Sequence, residues 1–364
     1  MKPLPNNPLS KPFCQELAFD RIPHMAYTAQ ITADDQNRRL DRILRKALPD
    51  LPLSAIHKML RKGQVYIDGQ PVRASFKPQA GSLLEIPGLA AETPETSPDA
   101  SIKVSSPRLQ SISTVPSLDI LFENEALLFI NKEPGIPVHG DESLDEAVQN
   151  YLQPILPPSL SFKPGPLHRL DQGTSGIIAF SKNLAGAQRF SEALREHRLE
   201  KWYITVLQGH VMGPVEWNDV LLRDKSRGIS RIAAESETGK AALTTVYPLF
   251  QCGDPQHPAT LVLIKLGTGR THQIRAQAAS HGYPILGDTR YGAQRQNRPW
   301  LLHAYALAGL DFLQLALPET IQAPLKDRQF ALLEKVCTEA KQRLFIKRLR
   351  TTPPLSDLLD AIMK

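Results

Sequence analysis

The sequence is poor in the residues that would cross-link a chain or bind it to a metal. Its 364 residues include three cysteines, Cys14, Cys252 and Cys337. An odd number set far apart fits neither a disulfide framework nor a paired zinc or redox site, so they read as plain thiols. No apolar run approaches the roughly 18 residues of a membrane span, which excludes a helical membrane protein. The opening MKPLPNNPLSKPFCQEL has prolines where an export signal needs an apolar core, so the expected location is the cytoplasm. There is no GxxxxGK[ST] phosphate loop, Gly267-Thr268-Gly269 lacks the third glycine of a dinucleotide fingerprint, and Ser175 is wrongly spaced for a GxSxG elbow. The ten histidines never fall at HExxH spacing and no CxxC pair supplements them. Neither a metal nor a cofactor is expected.

What the chain does have is a local surplus of positive charge. Between residues 36 and 90 there are ten Lys or Arg against four acids, an excess that equals the whole net charge of +6. Charge alone is equally the mark of a solvated face. The pattern beneath it is more informative. Leu40, Ile43, Leu44, Ala47 and Leu48 fall at helical spacing, with Asp34 or Asp35 upstream as a cap, and Arg38, Arg42, Arg45 and Lys46 lie on the other face. Ser54 can cap a second short helix with Ile56, Met59 and Leu60 inward, Gly63 suits its left-handed end, and Arg61 and Lys62 flank that end. Residues 64–67 and 71–76 then read as strands around an Asp68-Gly69 hairpin turn, with a third strand at 82–87.

This unit, with KGQVYIDGQPV as its most telling stretch, resembles the small α/β RNA-binding domain first described in a ribosomal small-subunit protein. The resemblance implies that Arg38, Arg42, Arg45, Arg61 and Lys62 grip structured RNA through its phosphates. Clustered cations supply counterion-release affinity without reading sequence. No DNA partner is expected.

The expected organisation is an arm at 1–35, the basic domain at 36–90, a Pro/Ser-rich linker at 91–117, a catalytic domain at 118–325 and a helical extension at 326–364. Beyond the linker, short apolar runs at 118–122, 127–131, 177–181, 202–207, 244–250 and 261–266 read as strands, and 144–152, 185–197 and 273–279 as helices. No regular βαβ alternation is present. The fold class is therefore α+β, with a mixed, largely antiparallel sheet flanked by helices.

The segment 167–182, LHRLDQGTSGIIAFSK, sets an Arg, an Asp and a Gly/Thr/Ser/Gly loop directly before an apolar strand. By residue type alone, Asp171 is a turn or cap residue and Arg169 its ion-pair partner. The run HRLDxxTSG is too long for that reading to stand alone. It resembles the catalytic motif of the RluA-type pseudouridine synthases. INKEPGIPVHG (130–140), KWYITVLQG (201–209), GTGRTHQIR (267–275) with GYPILGDTRYG (282–292), and LHAYALAGLDF (302–312) agree in the same order.

The resemblance implies an RNA uridine isomerase that breaks the glycosidic bond, turns the uracil and rejoins it through carbon 5, without cofactor. Asp171 is then the catalytic carboxylate, acting either on the anomeric carbon or on a sugar proton. A neighbouring guanidinium is expected to hold its pKa down. Arg275 matches the residue that pairs with it, although Arg275 by itself also reads as an exposed helix arginine. Arg169 matches the arginine that fills the space left by the extruded uridine. Tyr203 matches the tyrosine that stacks on the base and assists the last proton removal, the other reading being a core aromatic on a strand. Ile274 would pack on the uracil edge, with His168, Thr174 and His272 in supporting hydrogen bonds.

Two positions depart from the family pattern. Gln172 stands where Lys or Arg is common and Gln277 where a His often follows, departures expected to bear on RNA contacts and target choice. The tail carries Lys341, Arg343, Lys347, Arg348 and Arg350 on a helix-like stretch that packs on the catalytic domain, touches RNA or presents a solvated face. Family members with this layout commonly modify large-subunit ribosomal RNA, so the expected partner is ribosomal RNA, free or in a precursor particle, bound by a monomer. A transfer-RNA enzyme and a non-catalytic RNA-binding or ribosome-assembly factor are the alternatives. A glycoside or nucleoside hydrolase would use paired carboxylates, and the motif holds one.

Overall fold

Apolar residues at helical spacing in the basic segment meet apolar residues at strand spacing, and the two sets close a small core. The computed structural model describes residues 26–89, 116–294 and 299–363. The chain divides into two units, Met1–Val104 and Ser105–Lys364. In the first, β1 (Ala26–Gln30), α1 (Leu40–Ala47), α2 (Leu53–Arg61), β2 (Tyr66–Ile67), β3 (Gln70–Pro71) and β4 (Leu83–Pro87) follow in order. The sheet runs β1-β4-β2-β3, with every neighbour antiparallel. Leu40, Ile43 and Leu44 of α1 and Ile56 and Leu60 of α2 are buried with Ile31, Val65, Ile67, Leu84 and Ile86. Arg42, Arg45, Arg61 and Lys62 are exposed and Arg38 is half-buried.

Three local expectations are corrected here. The reading of 1–35 as an arm fails over 26–35: β1 pairs along the whole length of β4, and Asp35 is buried, accepting hydrogen bonds from the Thr32 amide and hydroxyl. An edge strand reading AYTAQ, with Tyr27 its one large side chain, lacks the apolar alternation that would announce it. Ser54 lies inside α2, whose N-cap is Pro52. The strand expected at 71–76 stops at Pro71, because the chain turns at Ala74 and Ser75. The expected arm residues 1–25 and most of the expected linker lie outside the described residues.

The second unit is built on an eleven-stranded sheet. Its elements are β5 (Ile120–Glu123), β6 (Leu127–Lys132), α3 (Leu144–Leu152), β7 (Gly165–Pro166), β8 (Ser175–Ser181), α4 (Leu184–Arg195), β9 (Glu200–Gln208), β10 (Val215–Asp224), β11 (Ile229–Ile232), β12 (Lys240–Asp254), β13 (His257–Leu266), α5 (Gln273–Ser280), β14 (Leu302–Ala308), β15 (Thr320–Gln322), α6 (Asp327–Val336), α7 (Ala340–Leu349) and α8 (Leu355–Met363). The order is β11-β10-β12-β13-β9-β14-β8-β6-β5, with β15 on β14 and β7 on β8. The one parallel pair, β14 with β8, sits in its middle. β6 and β8 are buried at every residue, as strands covered on both faces must be.

Alternation along β9 sorts the two faces. Tyr203 and Leu207 join the core that holds Phe129, Ile264 and Ile274. Trp202, Ile204 and Val206 point the other way, onto Phe330, Leu333, Phe345 and Leu349 of the tail. The tail helices therefore form the back layer of the sheet, behind Tyr203. Their basic residues are exposed, and the Arg348–Asp357 and Arg350–Asp327 pairs, at 2.6 and 3.0 Å, fasten one helix to another. That placement favours the packing reading over RNA contact. Cys252 and Cys337, remote in sequence, join the same core cluster in this layer as free buried thiols.

Candidate active site

The loop between β7 and β8 carries Asp171, and its shape is held from two sides. The Thr174 amide donates to the Asp171 carbonyl at 3.0 Å, closing a turn. Lys132, at the end of the wholly buried β6, spends its three ammonium protons on the carbonyls of Glu133, Ile136 and Gln172 at 2.8, 2.9 and 3.0 Å. Burial draws this lysine down to about 8, against the pull of Asp171 and Glu133. Gln172 reinforces the joint, its amide donating to the Gly135 carbonyl at 2.9 Å. After the loop, Gly176 has φ of +103° and packs so closely on β14 that a Cβ there would lie 2.2 Å from the Ala304 carbonyl oxygen. That position admits only glycine.

Across the cavity, α5 begins at His272, whose φ of 52° is left-handed, and delivers Ile274 and Arg275. Arg275 is buried, contrary to an exposed helix arginine. Its Nε and Nη2 donate to the two oxygens of Asp288 at 2.6 and 2.9 Å. The guanidinium lies between the rings of Tyr291 and Trp300, 4.7 Å from each centroid. Held on three sides, it turns Nη1 toward Asp171 Oδ2 at 3.7 Å.

His272 faces the same oxygen through Nε2, also at 3.7 Å. Burial, then the guanidiniums of Arg275, Arg223, Arg290 and Arg169, push this imidazole down to about 4, so it is neutral. The Ser230 amide donates to Tyr291 Oη, which is 2.8 Å from His272 Nδ1. With the phenol donating onward, the ring hydrogen sits on Nε2 and points at Asp171.

The Asp171 carboxyl itself is raised above the usual aspartate range. Burial causes this and outweighs Arg275, Arg169 and Arg223, which pull the other way. The expectation of a depressed pKa is therefore corrected: the guanidiniums moderate the shift without reversing it, because a buried carboxylate loses its water and Arg275 already serves Asp288. Tyr203, on β9, is raised too, by burial and then by the Asp171 charge. It is a neutral phenol at physiological pH.

The residues singled out from sequence, His168, Arg169, Asp171, Thr174, Tyr203, His272, Ile274 and Arg275, all line one cavity of about 540 Å³. That volume suits a small organic group. His168 accepts from the Ala179 amide at 3.0 Å, stacks on Phe190 and is driven down to about 3 by burial, which makes it a neutral brace. Thr174 and Ile274 are buried in the wall, and Arg169 is exposed at the rim. Sequence reasoning missed Lys132 and Asp288. A lysine ending an unbroken apolar strand was the available signal for the first, and an acid inside GYPILGDTRYG the only one for the second. Gln277 is corrected outright: wholly buried, it bonds Thr244, Asp219 and the carbonyls of Trp217 and Ala242, out of reach of any RNA. Among the described residues no group of three or more His, Cys, Asp or Glu is placed to hold a metal.

Residues 126–280 match the RNA pseudouridylate synthase family and residues 38–84 match the S4 domain. The chain belongs to the RluA-type pseudouridine synthases with an N-terminal S4 domain, isomerases acting on uridine in RNA. Among curated relatives, the Ribosomal large subunit pseudouridine synthase C of Escherichia coli O157:H7 is 31% identical over 84% of this chain and 95% of that protein. The protein of the same name from Escherichia coli K12 is 32% identical over 74% of this chain and 80% of its own length. Among solved structures, human RNA Pseudouridylate Synthase Domain Containing 1 aligns over 67% of this chain and 99% of that one, at 24% identity and a TM-score of 0.48.

Proposed function

We propose that this protein converts uridine to pseudouridine in large-subunit ribosomal RNA, with Asp171 as the catalytic carboxylate. The observation that carries the reading is the one carboxylate lining the cavity, Asp171, faced by Arg275 and His272 and sharing that cavity with Tyr203. The reaction is balanced within the substrate. The C1′–N1 bond breaks, C1′–C5 forms, and a proton leaves C5 as one is gained at N1. The protein must hold an ion next to the sugar, keep water out and let the uracil turn. Arg275 keeps Asp171 ionised enough to act, and Asp288 keeps Arg275 from closing fully on it. Tyr203, a neutral phenol, gives the base a face to slide on, and Ile274 a wall. A uridine in folded RNA reaches this cavity only by extrusion, which costs a few kcal/mol, and Arg169 at the rim is placed to fill the space left behind. The exposed Arg42, Arg45, Arg61 and Lys62 of the S4 unit, with Arg38, add affinity through phosphates.

No described helix is long and apolar enough to cross a membrane, and the relatives' ribosomal substrate favours a cytoplasmic enzyme working on naked RNA or a precursor particle. An unmodified large-subunit RNA transcript incubated with the protein should gain pseudouridine, and the Asp171→Ala protein should yield none. Pseudouridine formed by Asp171→Ala would overturn the assignment of the carboxylate. Modification of transfer-RNA transcripts in place of ribosomal ones would overturn the substrate.

A further inference from the structure

β9 presents two residues to the cavity one strand repeat apart, Tyr203 and Lys201. Tyr203 has a place in the proposed reaction and Lys201 has none. Its ammonium lies toward the Gly267-Thr268-Gly269 turn, where a Cβ on Gly269 would sit 3.4 Å from Nζ. The half-buried Lys201 forms no ion pair among the described residues, whereas its neighbour on the strand, Glu200, is taken by Lys265. Arg270, at the end of the same turn, spends Nε on the Ala241 carbonyl at 3.0 Å and likewise has no carboxylate. Burial, and then repulsion from Arg270, lowers the Lys201 ammonium from its ordinary value. Asp171 is the one carboxylate in the lining, which includes five Lys or Arg, and it is engaged by Arg275 and His272. Two like charges drawn together beside a backbone turn, with no acid to neutralise them, mark a place for an anion that the protein does not itself supply.

We infer that Lys201 and Arg270 form a phosphate subsite that takes a backbone phosphodiester of the RNA strand bearing the extruded uridine. This rests on the pseudouridine synthase reading and extends it from the base to the backbone. Tyr203 meets the base, and Lys201, about 7 Å farther along the same strand face, meets the chain that carries it. The subsite fixes how deep the nucleotide enters, a task for which a compact ammonium and a fixed guanidinium are suited without reading sequence.

The test is kcat/KM for pseudouridine formation on an unmodified large-subunit RNA transcript, measured at several KCl concentrations for wild type, Lys201→Gln and Lys201→Arg. A phosphate contact contributes about 0.7–0.9 to the slope of log affinity against log salt. The deficit of Lys201→Gln should therefore shrink about threefold between about 50 and about 200 mM KCl, while Lys201→Arg keeps the wild-type slope. A Lys201→Gln deficit independent of salt, or no deficit, overturns the subsite, because damage to folding or packing does not release counterions. Absence of any product from wild type would instead defeat the reading on which the subsite rests, so the two failures are told apart.

Discussion

Asp288→Asn tests whether Arg275 is held as a clamp. Asp288 and Arg275 are 2% and 6% exposed, so both ions have given up their water and depend on the two bonds at 2.6 and 2.9 Å. The amide keeps the shape, accepts one of those bonds and turns an N–H against the guanidinium at the other. Breaking one side of a buried pair costs about 3–5 kcal/mol, since the remaining charge stays buried with only the looser approach to Asp171 to answer it. For a unit of this size each kcal/mol moves Tm by about 2–4 °C, which gives a fall of roughly 6–20 °C. Trp202, Trp217 and Trp300 all lie in the second unit, so tryptophan fluorescence during urea or thermal unfolding reads that unit without the S4 unit. The variant also has a kinetic signature. Freed from Asp288, Arg275 shifts its fork from 3.7 Å toward direct contact with Asp171, which favours the carboxylate and moves the acid limb of kcat/KM to lower pH. The double variant Asp288→Asn/Arg275→Gln should recover part of the lost stability, having no stranded charge, and should move the limb the other way. A loss under about 1 kcal/mol together with an unmoved limb would refute the clamp, since a buried arginine cannot lose its two bonds to Asp288 that cheaply.

The raised Asp171 carboxyl makes ionisation at neutral pH a cost to folding, so Asp171→Asn should abolish product formation yet unfold at a higher temperature than wild type at pH 8. An acid with a raised folded pKa loses stability as pH rises, so this advantage should vanish below about pH 4, where the group is protonated folded or unfolded; an advantage that persists there would contradict the shift. Gly176→Ala combines a left-handed φ with an overlap onto the β14 backbone and should cost roughly 2–6 kcal/mol by urea denaturation. Replacing the exposed Arg42, Arg45 and Arg61 with Ala should weaken binding of a large-subunit RNA transcript and lower the salt slope by about 0.7–0.9 per lost phosphate contact, leaving the Tm of the second unit unchanged. An unaltered slope would leave the S4 unit no part in RNA affinity.

Local patterns carried far in this chain. The bounds of α3 and the buried face of α1 follow from apolar spacing and cap residues within a turn or two, and HRLDxxTSG marks its loop because the residues that shape the turn are neighbours in sequence. β10 was not legible: it contains Asn218 and Asp219, residue types that favour turns, and pairing of Val215–Leu221 with β12 overrides that preference. Gln277 looked like a surface departure and is a core residue, because four partners from two strands, β10 and β12, converge on its amide.

The sequence by itself determined the two-part layout, the location of the charge, the family and eight of the side chains that line the cavity. These rest on composition, period and contiguous motifs, all of which survive in a linear string. Tertiary structure alone decided how those side chains are tuned. Asp171 is raised because loss of water outweighs the guanidiniums, Arg275 is rationed by Asp288 thirteen residues away, and Lys132 ties its own turn, through the carbonyls of Glu133 and Ile136, to the Asp171 loop at the carbonyl of Gln172. Each of these is a matter of distance and burial between segments remote in the chain. Electrostatic energy depends on that geometry, and no residue carries it alone.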